Sequence, residues 1–143
     1  MPSIVGKRSV TVDSSALIAL FDASDRNHVR AAQYFGRAKV PFVTNVAVLT
    51  EVTHLLAFSP SAVRECLTWL TDSFTIDRHT ADDLPRIIEI MAKYADLPAD
   101  FADASLMALC ERSGLGHIAT FDSDFDVYRR ANGKPLINVF ATL

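Results

Sequence analysis

Residues 9–23, SVTVDSSALIALFDA, are the stretch that decides the fold. A short run rich in β-branched residues ends on Asp13 and leads directly into an apolar run, so we predict a buried strand followed at once by a helix. In an open parallel sheet, ligands bind beyond the carboxyl ends of the strands. Asp13 is therefore the first candidate for a functional residue.

The rest of the chain repeats this alternation of short strands and helices. Further strands are predicted over 40–44, 74–77, 117–122 and 136–140. Helices are predicted over 14–23, 26–37, 45–58, 59–70, 80–95 and 100–112. The pattern indicates an α/β protein with a mainly parallel sheet.

Several helix ends carry recognisable capping residues. Thr80 is the expected N-cap of the helix after the third strand. In ADLPADFADASLMAL, residues 95–109, Asp100 can act as N-cap and Asp103 as the third helical residue. Gly114 suits a left-handed C-terminal cap of the same helix.

Length and composition set the class of protein. The 143 residues suit one domain spanning residues 1–143, without disulfides. The start, MPSIVGKRSV, lacks the apolar segment of a signal peptide, and the apolar runs are shorter than the roughly 20 residues that span a bilayer, so we expect a cytoplasmic protein. Cys66 and Cys110 stand apart in apolar helical patterns and are predicted to be reduced core thiols.

Four acids fall where the predicted sheet would place a site. Asp13 and Asp122 end the first and fourth strands, while Glu51 and Asp103 lie in helices beside them. Two carboxylates about 5 Å apart repel by roughly 3 kcal/mol at an effective dielectric of 20, so a cluster of four needs a cation. Hard oxygen ligands favour Mg²⁺ or Mn²⁺ over zinc. Such an ion can orient a phosphodiester and lower the pKa of an attacking water, which predicts metal-assisted phosphodiester hydrolysis.

Other chemistries on this kind of sheet lack their characteristic residues. A dinucleotide site needs GxGxxG after the first strand, where this chain has DSSALI, and no GxxxxGK[ST] is present. A phosphatase with a DxD nucleophile needs an acid at position 15, which is Ser15. The formal net charge of −3 argues only weakly against nucleic-acid binding, because acids committed to a metal would leave the remaining surface close to neutral.

Four blocks of the sequence, in order, carry a family resemblance. They are TVDSSALIALFDASDRNHVRAAQYF, VTNVAVLTEVTHLL, YADLPADFADASLMALCERSG and HIATFDSDF. Together they resemble a PIN domain, particularly a VapC-type toxin ribonuclease of a type II toxin-antitoxin system. The resemblance implies a three-layer α/β/α sandwich with a five-stranded sheet in the order 3-2-1-4-5. It also implies an endoribonuclease dependent on Mg²⁺ or Mn²⁺, commonly a homodimer, that acts on RNA and is held inactive by a small cognate antitoxin.

The resemblance assigns roles to single residues. In the family, the acids of the first, TE, DASL and TFD blocks are both metal ligands and catalytic residues. The matching acids of this chain are Asp13, Glu51, Asp103 and Asp122. Thr120 matches a hydroxyl that in the family can help to hold a water at the metal, and Ser14 or Ser15 can do likewise. Asp124 is an additional acid that either assists or is only solvated. Asp100 is a cap with a supporting role at the site.

Each acid also has a purely structural explanation. Asp13 can cap a helix, which is worth about 1 kcal/mol. Glu51 can be a solvated helix residue, although its neighbours are apolar, and Asp122 can be a turn residue. A non-catalytic PIN module that binds RNA or a protein partner is therefore the alternative to an enzyme.

Two basic groups are candidates for phosphate contacts or for solvated faces. The first comprises Arg26, Arg30, Arg37 and Lys39. The second comprises Arg129, Arg130 and Lys134. The second group is the better candidate for phosphate contacts, because it follows Asp122 in the chain, and a solvated face is the equal alternative.

Overall fold

The computed structural model describes residue 6, residues 8–97 and residues 99–141, and five strands alternate with six α-helices in that part of the chain. The strands are β1 Val10–Val12, β2 Phe42–Asn45, β3 Phe74–Asp77, β4 His117–Ala119 and β5 Ile137–Asn138. The α-helices are α1 Ser14–Phe21, α2 His28–Arg37, α3 Val46–Leu55, α4 Pro60–Ser73, α5 Leu84–Lys93 and α6 Phe101–Ser113. A short 3-10 helix covers Ser123–Asp126.

The strands form one parallel sheet in the order β3-β2-β1-β4-β5, which confirms the predicted order. Strands β1 and β4 are neighbours, with Val12 opposite Ala119. The strand order reverses between them, and at such a point the connections on either side leave a crevice beyond the strand ends. Asp13 follows β1 there, and its backbone N–H donates to the carbonyl oxygen of Ala119 over 3.1 Å.

Helices cover both faces of the sheet. Successive residues of a strand point to opposite faces, and every residue of β1 and β2 is buried. Both faces are therefore shielded from water, as in sheets made of parallel strands. The burial pattern confirms the expected three-layer sandwich.

Helix α6 runs through the interior of the protein. Its residues from Ala102 to Cys110 are all buried, so no face of that segment meets solvent. Asp100 is its N-cap, with a carboxylate that accepts the Asp103 N–H over 2.8 Å, and Gly114 ends it in the left-handed conformation, with φ at 68°. Both predicted caps are confirmed. Pro98, which precedes them in the sequence, lies outside the described residues.

The predicted cap of α5 is wrong. Thr80 lies in a turn, and α5 begins only at Leu84. Pro85 explains the difference, because proline has no N–H to donate and is tolerated in the first helical turn but not in the interior. A helix starting just after Thr80 would have required that missing hydrogen bond.

The cysteines behave as core residues, as predicted. Both thiols are free and buried, and burial raises the pKa of Cys66 to about 11 and that of Cys110 to about 12. Neither thiol is therefore a ready thiolate ligand for a metal. Among the described residues, no helix has the length and apolar character that crossing a membrane requires.

Two glycines offer a matched test of backbone conformation. Gly114 has a φ of 68°, so Gly114→Ala is expected to lower the free energy of unfolding by about 1 to 2 kcal/mol. Gly36 lies inside α2 with open space around its Cα, so Gly36→Ala is expected to raise it by up to about 1 kcal/mol. Urea denaturation of the two variants measures both values. Equal effects of the same sign would contradict the assignment of a left-handed conformation to Gly114 and a helical one to Gly36.

Candidate metal centre

Asp13 is the buried anchor of a group of acids at the carboxyl ends of β1 and β4. Its Oδ2 accepts the hydroxyl protons of Ser15 and Thr120, over 2.9 and 2.8 Å, and lies 3.4 Å from the Ser15 backbone nitrogen. The last contact is the capping bond that a purely structural Asp13 would also make. The helix cap and the site therefore use the same carboxylate.

The two hydroxyls that serve Asp13 also hold the chain that follows β4. The Ser15 hydroxyl oxygen accepts the N–H of Phe121 over 2.8 Å, and that of Thr120 accepts the N–H of Asp122 over 2.9 Å. Each hydroxyl thus donates to Asp13 and accepts from the backbone that carries Asp122. This relay sets the position of Asp122 relative to Asp13.

Three carboxylates come close enough together to share one ion. Single oxygens of Asp103, Asp122 and Asp124 lie within 4.8 Å of one another. Asp103 comes from the first turn of α6 and accepts the Tyr128 hydroxyl proton over 3.1 Å. Asp122 caps the 3-10 helix by accepting the Asp124 N–H over 2.9 Å. We call this set the three-acid group.

Glu51 reaches the same edge of the sheet from α3. Its Oε1 accepts a hydrogen bond from the Ser14 hydroxyl, whose oxygen also lies 3.4 Å from Asp13 Oδ1. Burial raises the pKa of Glu51, and the nearby Asp100 and Asp13 raise it further. Glu51 therefore belongs to the same electrostatic cluster, although its oxygens lie outside the three-acid group.

The helices that supply Glu51 and Asp103 are tied together by Asn45. Its side-chain oxygen accepts the N–H of Val48 over 3.0 Å and so caps α3. Its amide donates to the Ser105 hydroxyl of α6 over 2.9 Å. Because both bonds are buried, they fix the separation of the two helices.

The crowding of like charges is visible in the proton affinities. Burial, followed by the charges of Asp13, Asp100 and Asp122, raises the pKa of Asp103 to about 8, against an ordinary value of 3.8. Burial also raises the pKa of Asp13, and burial together with Asp122 and Asp100 raises that of Asp124. A cation placed among these groups would reverse the effect, because it favours the ionised carboxylates.

The donor set fits a hard divalent cation. Oxygen atoms on opposite sides of an octahedral Mg²⁺ lie about 4.2 Å apart, twice a bond of about 2.1 Å, which is close to the span of the three-acid group. The group consists of carboxylates alone, whereas zinc sites favour nitrogen or sulfur ligands. The residues therefore suit a Mg²⁺-type or Mn²⁺-type ion.

The structure brings the predicted acids to one edge but groups them differently from the prediction. Asp103 and Asp122 are in the three-acid group together with Asp124, which the sequence suggested only as an additional acid. Asp13 and Glu51 lie beside it, linked through hydroxyls. The assignment of the four acids as metal ligands stays a prediction.

Sequence reasoning missed two side chains that position the site. Tyr128 donates to Asp103, and the Asn138 amide donates to the Thr120 carbonyl oxygen over 2.9 Å. Tyr128 carries no motif, and Asn138 lies in a strand of two residues, so neither gave a signal in the sequence.

Two arginines of the second basic group donate to the protein's own backbone. Arg129 donates to the carbonyl oxygens of residues 126, 127 and 128, and Arg130 donates to those of Leu115 and Pro135. These bonds leave fewer donors for phosphate than the sequence suggested. Arg30, of the first group, instead lies beside the site, with its Nη2 2.8 Å from the Phe140 carbonyl oxygen.

Comparison with known proteins points to one family. The family model described as the PIN domain matches residues 10–131. A solved structure, that of VapC20 from Mycobacterium tuberculosis, described as a toxin that cleaves the sarcin-ricin loop, superposes with a TM-score of 0.75 at 24% identity. The match covers 82% of this chain and 93% of that one. A search among curated proteins finds no match.

The raised pKa of Asp103 predicts how stability depends on pH without metal. Between the unfolded value of 3.8 and the folded value of about 8, the folded protein holds more protons than the unfolded chain. The free energy of unfolding therefore falls as the pH rises, by about 1.4 kcal/mol per pH unit for one such carboxylate. The contribution of Asp103 to stability is complete below the unfolded pKa of 3.8 and is lost as the pH rises through the folded pKa of about 8.

Thermal unfolding in EDTA from about pH 5 to pH 8 measures this slope. We expect Asp103→Asn to flatten it and Mn²⁺ to raise the melting temperature of the unaltered protein most at the upper end of the range. Asp96→Asn removes one charge from an exposed turn and is the matched control. An Asp103→Asn protein with an unchanged slope would contradict the prediction.

Proposed function

This chain belongs to the PIN-domain family, and from that premise we propose that it is a metal-dependent endoribonuclease, the toxin of a VapBC-type toxin-antitoxin pair. The observation that carries the proposal is the convergence of the three-acid group with Asp13 where the strand order reverses. Acids are gathered there in spite of their repulsion. A role with a cation explains that arrangement, whereas the capping of helices requires only one acid per helix.

In this proposal the ion is Mg²⁺ or Mn²⁺. Asp13, Glu51, Asp103 and Asp122 hold it, and Asp124 joins them through the three-acid group. When bound, the ion supplies positive charge that orients the phosphodiester, stabilises charge on its oxygens and lowers the pKa of the attacking water.

The chain's own residues orient these groups. Ser15 and Thr120 hold Asp13 Oδ2, and Tyr128 holds Asp103 Oδ2, so these hydroxyls orient the two carboxylates. Glu51 lies next to Asp100, and its pKa is raised. The Ser14 hydroxyl donates to Glu51 Oε1 and so sets the position of this carboxylate among the groups that would hold the ion.

RNA is the proposed substrate, and a small antitoxin and a second copy of the chain are the proposed partners. The similarity to VapC20 supports RNA, since that protein is described as a toxin that cleaves an RNA loop. The antitoxin, like the homodimer, is what the family resemblance implies.

The direct test is RNA cleavage with Mn²⁺ and with EDTA. Asp13→Asn is expected to lower the rate of cleavage by about a hundredfold or more, because Asp13 links the relay to the acids. Asp96→Asn, which removes the same charge from an exposed turn, is expected to cleave as the unaltered protein does. Equal rates for Asp13→Asn and Asp96→Asn would overturn the enzymatic proposal, and RNA binding without cleavage would favour the non-catalytic module.

A second test separates the roles of Asp100 and Asp103. Asp100 caps α6 from an exposed position, whereas Asp103 is buried in the three-acid group. Asp103→Asn is expected to abolish Mn²⁺-dependent cleavage, and Asp100→Asn to lower the free energy of unfolding by about 1 kcal/mol with a smaller loss of rate. A large loss of rate confined to Asp100→Asn would show that the wrong acid is assigned to the metal.

A further inference from the structure

A small pocket continues from the three-acid group along the end of β5. Its volume is about 220 Å³, and its wall includes Thr120 and Asp122, which also belong to the metal centre. A ligand group in the pocket would therefore lie next to a phosphodiester bond placed at the three-acid group. The volume is below the roughly 300 to 1,000 Å³ of pockets for whole small molecules, so the pocket suits one part of a longer ligand.

An arginine is held in place on the wall of this pocket. Arg30 lies with its guanidinium carbon 5.4 Å from the ring centre of Phe121 and 5.8 Å from that of Phe140. The two rings stack on each other, with centres 4.1 Å apart and planes 22° apart. The Phe140 carbonyl oxygen accepts one Arg30 N–H. The guanidinium is thus positioned before any ligand binds, which lowers the entropic cost of binding.

Among the described residues, the Arg30 guanidinium makes a single hydrogen bond, to the Phe140 carbonyl oxygen. Its bond to Phe140 uses one of five N–H groups. Within the described ranges of the chain, Arg30 has no carboxylate at ion-pair distance, whereas Arg86 and Arg112 each have two. A preorganised guanidinium without an anion, in a concave wall, is a binding site for a phosphate.

We propose that this pocket binds the nucleotide next to the cleaved bond, with Arg30 contacting its phosphate. The inference rests on the proposed function, since it takes the substrate to be an RNA strand. A phosphodiester strand has a second phosphate one nucleotide from the first, so a strand held at the acids presents one to the adjoining pocket. Asp126, exposed on the same wall, is suited to accept a hydrogen bond from a ribose hydroxyl.

The test measures binding of a short fluorescein-labelled single-stranded RNA by anisotropy, in an Asp13→Asn background that stops cleavage. Arg30→Gln is expected to raise Kd about tenfold and to reduce the slope of log K against log salt by about 0.7, the value for one phosphate contact on a single strand. Arg37→Gln is the matched control, because Arg37 is an exposed arginine of the same helix. It is expected to change Kd less than twofold.

Steady-state cleavage by otherwise unaltered chains gives a second readout. Arg30→Gln is expected to raise KM about tenfold with kcat nearly unchanged, because a contact to the neighbouring phosphate is made equally before and during the reaction. Arg30→Gln also removes the hydrogen bond to Phe140 and can lower stability for that reason. Arg30→Lys keeps the positive charge, so it is expected to restore most of the salt slope. A purely structural role predicts no such rescue of the salt slope.

The outcomes separate the two proposals. If the unaltered protein cleaves RNA with Mn²⁺ while Arg30→Gln and Arg37→Gln behave alike, the phosphate subsite is wrong and the enzymatic function stands. If no RNA is cleaved with Mn²⁺ and no variant changes binding, both fail. If Arg30→Gln reduces the salt slope and Arg30→Lys does not restore it, Arg30 has a structural role alone.

Discussion

Repulsion among carboxylates at the ends of β1 and β4 is the constraint on which the surrounding structure depends. Like charges gathered in a buried place must be protonated, separated or balanced by a cation. Neutral donors, namely the hydroxyls of Ser15, Thr120 and Tyr128, hold them in place. These hydroxyls orient the carboxylates without supplying a positive charge. The crowding is therefore expressed in the raised pKa of Asp103, which a cation would lower.

Much of the fold follows from simple patterns in the sequence. The strand that ends on Asp13 and the helix that starts at once define a parallel α/β sheet, and the β-branched runs locate its strands. Helix ends with strong local chemistry, Asp100 and Gly114, also follow. Thr80 does not cap α5 because Pro85 is tolerated in the first turn of a helix and not in its interior, which outweighs the capping tendency of threonine. The strand order itself came from the family resemblance, because pairing between distant strands leaves no local signal.

The site was predictable in its acids but not in their grouping. Carboxylates at strand ends stand out in the sequence, whereas distances between side chains depend on how the chain turns after β4. The 3-10 helix brings Asp124 beside Asp122. A helix of four residues is too short to give a periodic pattern in the sequence, so its position could not be predicted. Arg30 illustrates the same limit, since its place beside the site depends on Phe121 and Phe140, which are distant in the chain.

The complete burial of α6 from Ala102 to Cys110 has a consequence for the lifetime of the site. Amides in such a segment are expected to exchange with solvent mainly through global unfolding, because every face of the helix is covered by other parts of the domain. Asp103 shares that persistence, whereas Asp122 and Asp124 lie on a single short turn nearer to solvent. The three-acid group therefore combines one acid in the most persistent part of the domain with two acids on a short segment nearer to solvent.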